Sequence, residues 1–160
     1  MDTIVSTFRV APLPPAELAR IRAAAVDDFG NPVVRQVNDD PSGAPLRCCL
    51  RFAEVGEWIA LIAYRPFATP SPYAEVGPVF IHADECPGYT ETDRFPSGFR
   101  HRRLVLRAYD HEGRIASAEF VDGDGAEAAI EEQLTRPEIA FLHFRAQTYG
   151  CYQFAVHRAG

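Results

Sequence analysis

Residues 104–121 have the sequence LVLRAYDHEGRIASAEFV, in which two strand-like runs flank a short polar connection. The first run, Leu104–Tyr109, alternates apolar residues with other types, and Arg114–Val121 is rich in residues that favour strands. Between them, residues 110–113 end on a glycine. Two such runs joined by a short glycine-containing segment are typical of a β-hairpin. We therefore expect two antiparallel neighbouring strands here.

The remaining segments extend this pattern to an antiparallel α+β fold with about eight strands and hairpin connections. Ile139–Ala146 and Cys151–Arg158 predict a second, closing hairpin. Other candidate strands are residues 4–11, 33–37, 46–52, 57–65 and 78–82, and long loops are expected at 66–77 and 84–100. Two helices are predicted, over 15–27 after Pro14-Pro15 and from about 124 to 134 after a capping-box pattern of Asp124 and Glu127. A length of 160 residues suggests one domain, residues 1–160.

Composition excludes several functional classes. All sixteen basic residues are arginine, so the chain lacks the lysine of Schiff-base enzymes and of P-loop nucleotide hydrolases. A formal charge of −6 argues against nucleic acid as a partner. The longest apolar run, residues 58–63, is far too short to span a membrane, and the first residues do not resemble a signal peptide. We expect a cytoplasmic protein whose cationic sites consist of arginine, which favours planar anions.

The four cysteines are Cys48, Cys49, Cys86 and Cys151. They contain no Cys-x-x-Cys pair, and a disulfide between the neighbours Cys48 and Cys49 would be strained. Within a strand at 46–52, those two side chains would point to opposite faces. We therefore expect free thiols that serve mainly as small packing residues.

Strand alternation predicts a candidate site. In the strands around residues 107 and 143, Arg107 and Tyr109 share one face, as do His143 and Arg145. If the two strands are neighbours, one sheet face gathers all four side chains and suits an anionic small molecule or peptide, because arginine binds carboxylate or phosphate through two parallel hydrogen bonds. The alternative is an ordinary solvated sheet face whose arginines pair with Asp or Glu.

The loop before the strand at 78–82 adds Tyr73 and Glu75 to this candidate site. Loops that enter strands often carry functional groups, so Tyr73 is a candidate hydrogen-bond donor to a ligand and Glu75 a candidate general base. The alternative is a turn in which Glu75 caps backbone amides or pairs with an arginine.

Two other classes of function remain open. A small enzyme would use Glu75 as a base, or Cys151 as a nucleophile, with His143, and the charge of Arg145 would lower the pKa of the thiol. A homo-oligomeric interaction module would need no small-molecule site.

Metal binding has some support from residue types. His82 and Cys86 have a His-x3-Cys spacing that a turn accommodates, with His143 and Cys151 as distant partners. The spacing matches no recognised metal signature. We expect no metal ion and no cofactor.

Four segments resemble a known family: SPYAEVGPVF at residues 71–80, LRAYD at 106–110, HFR at 143–145 and GCY at 150–152. They are similar to domain of unknown function 1203, a family of small bacterial proteins of about this length. The resemblance implies a cytosolic bacterial single-domain protein and implies no reaction.

Overall fold

The computed structural model describes residues 6–160, which form ten strands and two helices. The strands are β1 (Phe8–Ala11), β2 (Gln36–Val37), β3 (Pro45–Leu46), β4 (Arg51–Phe52), β5 (Trp58–Tyr64), β6 (Gly77–His82), β7 (Arg103–Asp110), β8 (Ile115–Asp122), β9 (Ile139–Ala146) and β10 (Tyr152–Arg158). The helices are α1 (Pro15–Ala24) and α2 (Ala126–Leu134). The predicted α+β, mainly antiparallel fold class is confirmed, with ten strands instead of about eight.

The first sheet contains both predicted hairpins. Its strand order is β1-β10-β9-β7-β8, and every neighbouring pair is antiparallel. One face packs against α2 because Leu106 and Phe144 of the sheet and Ile130 of the helix are fully buried in one apolar cluster. The opposite face carries the candidate residues of β7 and β9.

The second sheet has the order β2-β5-β6-β3-β4 and includes one parallel pair, β3 with β6. Its apolar cluster contains Leu18 and Ile21 of α1, which explains why the helix is apolar on that side. The same cluster includes Tyr152 and Ala155 of β10, so the two sheets meet through that strand.

The predicted strand at residues 46–52 is wrong. Residues 47–50 form a turn that joins the short antiparallel strands β3 and β4. Leu50 closes the turn in the left-handed region, with φ of 57°, and its amide donates to the Leu46 carbonyl at 2.9 Å. Cys48 and Cys49 therefore lie in a turn, and their side chains are not constrained to opposite sheet faces.

Both helices differ from prediction at their ends. α1 ends at Ala24 and not at residue 27, because Ala25 adopts a left-handed conformation with φ of 56°. The capping box predicted for α2 is wrong, since Gly125 is the N-cap and Glu127 pairs with Arg100. Neither helix in residues 6–160 has the length and apolar character needed to cross a membrane.

Other boundaries shift slightly. The candidate strand at 33–37 is reduced to Gln36–Val37, and β1 begins at Phe8. Residues 4 and 5 of the predicted first strand lie outside the described residues.

Candidate functional site

The structure brings together five of the six residues predicted for the sheet-face site. Arg107 of β7 lies opposite His143 of β9, and Tyr109 and Arg145 follow on the same face. Glu75, from the loop before β6, bridges the two arginines: Arg107 Nη1 is 3.3 Å from Oε1, and Arg145 Nη2 is 3.1 Å from Oε2. We call this set the Glu75 cluster.

Both arginines of the Glu75 cluster already pair with a carboxylate, although the buried Nε of Arg145 has no hydrogen-bond partner among the described residues. Arg145, whose side chain is 9% exposed, also donates to the Gly150 carbonyl at 2.8 Å. Arg107 donates weakly to the Tyr109 hydroxyl at 3.4 Å. One carboxylate of the chain therefore occupies the position that an anionic ligand would take between the two guanidinium groups.

His143 and Tyr109 lie inside an aromatic cluster and not on an open surface. Four rings surround the imidazole at centroid distances of 4.9 to 5.3 Å, from Phe67, Tyr109, Phe141 and Tyr152. Burial, together with nearby Arg145, His157 and Arg107, lowers the pKa of His143 to about 3. His143 is therefore neutral at pH 7, and its buried Nδ1 has no hydrogen-bond partner among residues 6–160.

Tyr73 and Cys151 lie apart from this arrangement. Tyr73 is 41% exposed at a surface turn, where its amide donates to Ser71 Oγ. The Cys151 carbonyl accepts a hydrogen bond from the amide of Ala146, so Cys151 lies opposite the end of β9. Ala146 is three residues beyond His143, which separates the positions of Cys151 and His143 by about 10 Å along the strand direction. The structure thus does not bring Cys151 together with His143 as a nucleophile and base.

A cavity of about 510 Å³ lies beside the second sheet and the β9–β10 turn, and sequence reasoning missed it. We call it the Arg47 cavity. Much of its wall is apolar, with contributions from Val37, Pro45, Ile59, Leu61, Pro78 and Phe80. Its polar lining includes Arg47, Gln153 and Tyr149, with Asp39 and Asp40.

Arg47 is the most unusual residue of this cavity. It is 2% exposed, and its Nε donates to the Tyr152 carbonyl at 2.8 Å. Within residues 6–160 no carboxylate lies within ion-pair distance of its guanidinium. Burial lowers the pKa of Arg47 to about 10, so the side chain remains charged at pH 7. A single arginine between apolar Leu46 and the cysteines was the sequence signal available for it.

A second buried polar group lines the same cavity. Gln153 is 3% exposed, its Nε2 donates to the Cys151 carbonyl at 3.2 Å, and its Oε1 has no partner among the described residues. A buried amide oxygen without a donor is unfavourable, which makes this atom a candidate ligand contact.

The candidate metal residues His82 and Cys86 lie together, with partners other than those considered from the sequence. Their neighbours are Cys48 and Cys49, and the four ligand atoms lie within 4.8 Å of one another. Of the described His, Cys, Asp and Glu residues, these four form the one such group, which does not include His143 or Cys151. We call the four residues the Cys₃His cluster.

Comparison with known proteins bears on the family resemblance. The family model described as "Protein of unknown function (DUF1203)" matches residues 43–158, a range that includes the Glu75 cluster, Arg47, Gln153 and the Cys₃His cluster. Neither the curated proteins nor the solved structures gave a match. The chain thus belongs to the DUF1203 family.

Proposed function

We propose that this protein binds an anionic small molecule with an apolar body, and that the ligand occupies the Arg47 cavity. The observation that carries the proposal is a buried guanidinium in the wall of a largely apolar cavity, with no carboxylate of the described residues 6–160 within ion-pair distance. The cavity volume of about 510 Å³ falls within the range of small-molecule sites.

The electrostatics favour an anion at this position. The backbone carbonyls of Tyr152 and Pro45 accept hydrogen bonds from Arg47, but they carry no formal charge to balance the guanidinium. A buried charge without a counter-charge is costly, and a ligand carboxylate would supply the missing partner through charge-assisted hydrogen bonds.

The other polar residues narrow the ligand class. Gln153 Oε1 needs a donor, which a ligand hydroxyl or amide N–H would supply. Asp39 and Asp40 also line the cavity and disfavour a second negative charge. The best match is a monoanion whose apolar part lies along Leu61 and Phe80 and which carries one donor group.

The competing assignments have weaker support. In the Glu75 cluster a carboxylate of the chain already pairs with both arginines, so an external anion would have to displace it. The enzyme alternative with Cys151 as nucleophile lacks a nearby base, because Cys151 and His143 lie about three residues apart along the paired strands and His143 is buried and neutral. The version with Glu75 as base has weaker support because Arg107 and Arg145 both pair with that carboxylate.

The test compares aliphatic and aromatic monocarboxylates with their matched primary amides by isothermal titration and thermal shift on the full chain. The carboxylates should bind and raise Tm, whereas the amides should not, because they lack the charge. Arg47→Met should weaken carboxylate binding by about 10- to 100-fold, the value of one charge-assisted hydrogen-bonded pair.

Two further variants keep the test decisive if Arg47→Met unfolds. Leu61→Trp fills the cavity from a residue that is 44% exposed, so it should block binding while the fold survives. Arg107→Met alters the Glu75 cluster and should leave binding unchanged. Loss of binding in Arg107→Met together with normal binding in Leu61→Trp would overturn the Arg47 assignment and place the anion in the Glu75 cluster.

A further inference from the structure

We infer that the Cys₃His cluster, formed by Cys48, Cys49, His82 and Cys86, binds one Zn²⁺ ion as a structural site. This inference is independent of the proposed anion binding, because no residue of the Cys₃His cluster lines the Arg47 cavity.

The sheet pairing brings the four residues together. Cys48 and Cys49 occupy the turn between β3 and β4. Strand β3 pairs in parallel with β6, and Leu46 of β3 lies opposite Phe80 of β6. His82 is the last residue of β6, and Cys86 follows four residues later. The left-handed Leu50 allows the turn in which both cysteine side chains reach the same point.

The distances match a tetrahedral metal centre. Cys48 Sγ lies 3.5 Å and Cys49 Sγ lies 3.7 Å from His82 Nδ1, and the two sulfurs are 4.0 Å apart. Zinc–ligand bonds of ordinary length at tetrahedral angles place ligand sulfurs about 3.8 Å apart and sulfur and nitrogen about 3.6 Å apart. The Cys86 sulfur lies within 4.8 Å of the other ligand atoms, so a movement of about 1 Å completes such a tetrahedron.

Backbone amides are arranged to stabilise thiolate ligands. The His82 amide donates to Cys48 Sγ at 3.3 Å, and the Gly88 amide donates to Cys86 Sγ at 3.4 Å. Hydrogen bonds of this kind favour the ionised sulfur that a metal requires.

The outer ring nitrogen of His82 has the partner expected of a metal-bound histidine. Its Nε2 lies 2.7 Å from Glu57 Oε2, which leaves Nδ1 directed at the sulfurs. Glu57 is held by Arg51 through contacts of 2.7 and 2.8 Å. A carboxylate on the second nitrogen fixes ring orientation and tautomer and raises the basicity of the ligating nitrogen.

A half-buried cation with one nitrogen unpaired within residues 6–160 supports the same assignment. Arg22 donates from Nε to the His82 carbonyl at 3.1 Å, but its buried Nη2 has no acceptor among the described residues. Arg22 lines a small cavity with Cys48, Cys86 and Glu85. Three thiolates around Zn²⁺ leave a net negative charge, which the guanidinium would balance.

The ligand set points to zinc and to a structural role. Three sulfurs and one imidazole in a tetrahedral arrangement are characteristic of Zn²⁺, and four protein ligands leave no open position for a reacting water. The ion would join the β3–β4 turn and the end of β6 to the segment 83–102. Phe95 and Phe99 of that segment are buried in the apolar cluster of the first sheet.

The experiment uses the full chain, purified under reducing conditions with zinc, and measures bound metal by elemental analysis and by Co²⁺ substitution. We expect one zinc per chain, and we expect the cobalt form to show tetrahedral d–d bands and a sulfur-to-cobalt charge-transfer band. Cys86→Ser and Cys49→Ser each remove one of the four ligands. Because the affinity for zinc depends on all four, each variant should weaken metal binding by at least about 100-fold. Cys151→Ser is the matched control and should behave like the unchanged chain.

A variant outside the ligand set protects the test against simple unfolding. Glu57→Gln keeps all four ligands and should weaken metal affinity by about 10- to 100-fold while circular dichroism stays unchanged. The inference is overturned if the reduced chain binds neither metal, or if the cysteine variants and Cys151→Ser bind equally well. Neither result would alter the carboxylate-binding test of the Arg47 cavity.

Discussion

Two histidines of this chain, His82 and His143, are both shielded from solvent, and their surroundings differ completely. The side chain of His82 is 14% exposed, and both of its ring nitrogens face polar groups, two thiols on one side and the Glu57 carboxylate on the other. His143 is 1% exposed and packs among four aromatic rings, with its Nδ1 unpartnered among residues 6–160. The partners of the ring nitrogens therefore separate a candidate ligand from a packing residue.

Each histidine also has a bridging carboxylate nearby, and the two carboxylates act differently. Glu57 contacts His82 itself and is held by Arg51. Glu75 contacts Arg107 and Arg145 and makes no hydrogen bond to His143 within the described residues. The first carboxylate orients a candidate ligand, whereas the second neutralises two cations.

Metal removal should have the largest effect. A structural zinc ion contributes several kcal/mol to folding, so a strong chelator should lower Tm by at least about 10 °C, and added zinc should restore it. His82→Ala should have the low Tm from the start and should not respond to the chelator. His143→Phe should respond as fully as the unchanged chain. Equal responses of the two variants, measured by differential scanning calorimetry, would remove the distinction between the histidines.

Acidification should affect stability through His143. In the unfolded chain the pKa of His143 is near its ordinary value of 6.5, whereas burial in the folded chain lowers this pKa to about 3. Between these values the unfolded state binds the additional proton, so His143 lowers the free energy of unfolding by about 1.4 kcal/mol for each pH unit of acidification. Urea denaturation at several pH values should show that the free energy of unfolding falls less on acidification in His143→Phe than in the unchanged chain. Parallel pH curves would indicate that the imidazole protonates in the folded chain.

Replacing the two bridging carboxylates should give different phenotypes. Glu75→Gln leaves Arg107 and the nearly buried Arg145 without a counter-charge. The free energy of unfolding should fall by about 1–2 kcal/mol, a value kept small because the half-exposed carboxylate is screened by solvent. Zinc affinity should not change in this variant. In Glu57→Gln zinc affinity should fall. Competition with a metal indicator and urea denaturation measure the two effects, and a loss of zinc affinity in Glu75→Gln would contradict the separation of the two regions.

The smallest expected effect concerns cysteine reactivity. Zinc should protect Cys48, Cys49 and Cys86 from alkylation, whereas Cys151, whose sulfur lies 3.9 Å from the Tyr149 carbonyl, should react equally with and without metal. Mass spectrometry after brief alkylation measures the difference. Zinc-dependent protection of Cys151 would place that residue near the ion.

Much of the first sheet could be predicted from the sequence because period-2 alternation and turn residues are local signals. They identified both long hairpins and the shared face of Arg107 and His143. They did not predict that Glu75 would pair with both arginines, since that contact joins a loop to two strands distant in the chain. Of the Cys₃His cluster, the sequence indicated His82 and Cys86 as weak metal candidates but not Cys48 and Cys49, for a local reason. Leu50 adopts a left-handed conformation that sequence reasoning assigns to glycine, so the turn at Cys48 and Cys49 was interpreted as a strand.

The most direct test of the contrast between the histidines is NMR of the imidazole nitrogens, with ¹⁵N-labelled histidine, before and after zinc is added. His82→Ala and His143→Phe assign the two rings. We predict that zinc shifts Nδ1 of His82 to a metal-bound position and leaves its Nε2 protonated toward Glu57, while His143 remains neutral and unchanged. A zinc-induced shift of His143, or no shift of His82 at one equivalent of zinc, would contradict the account.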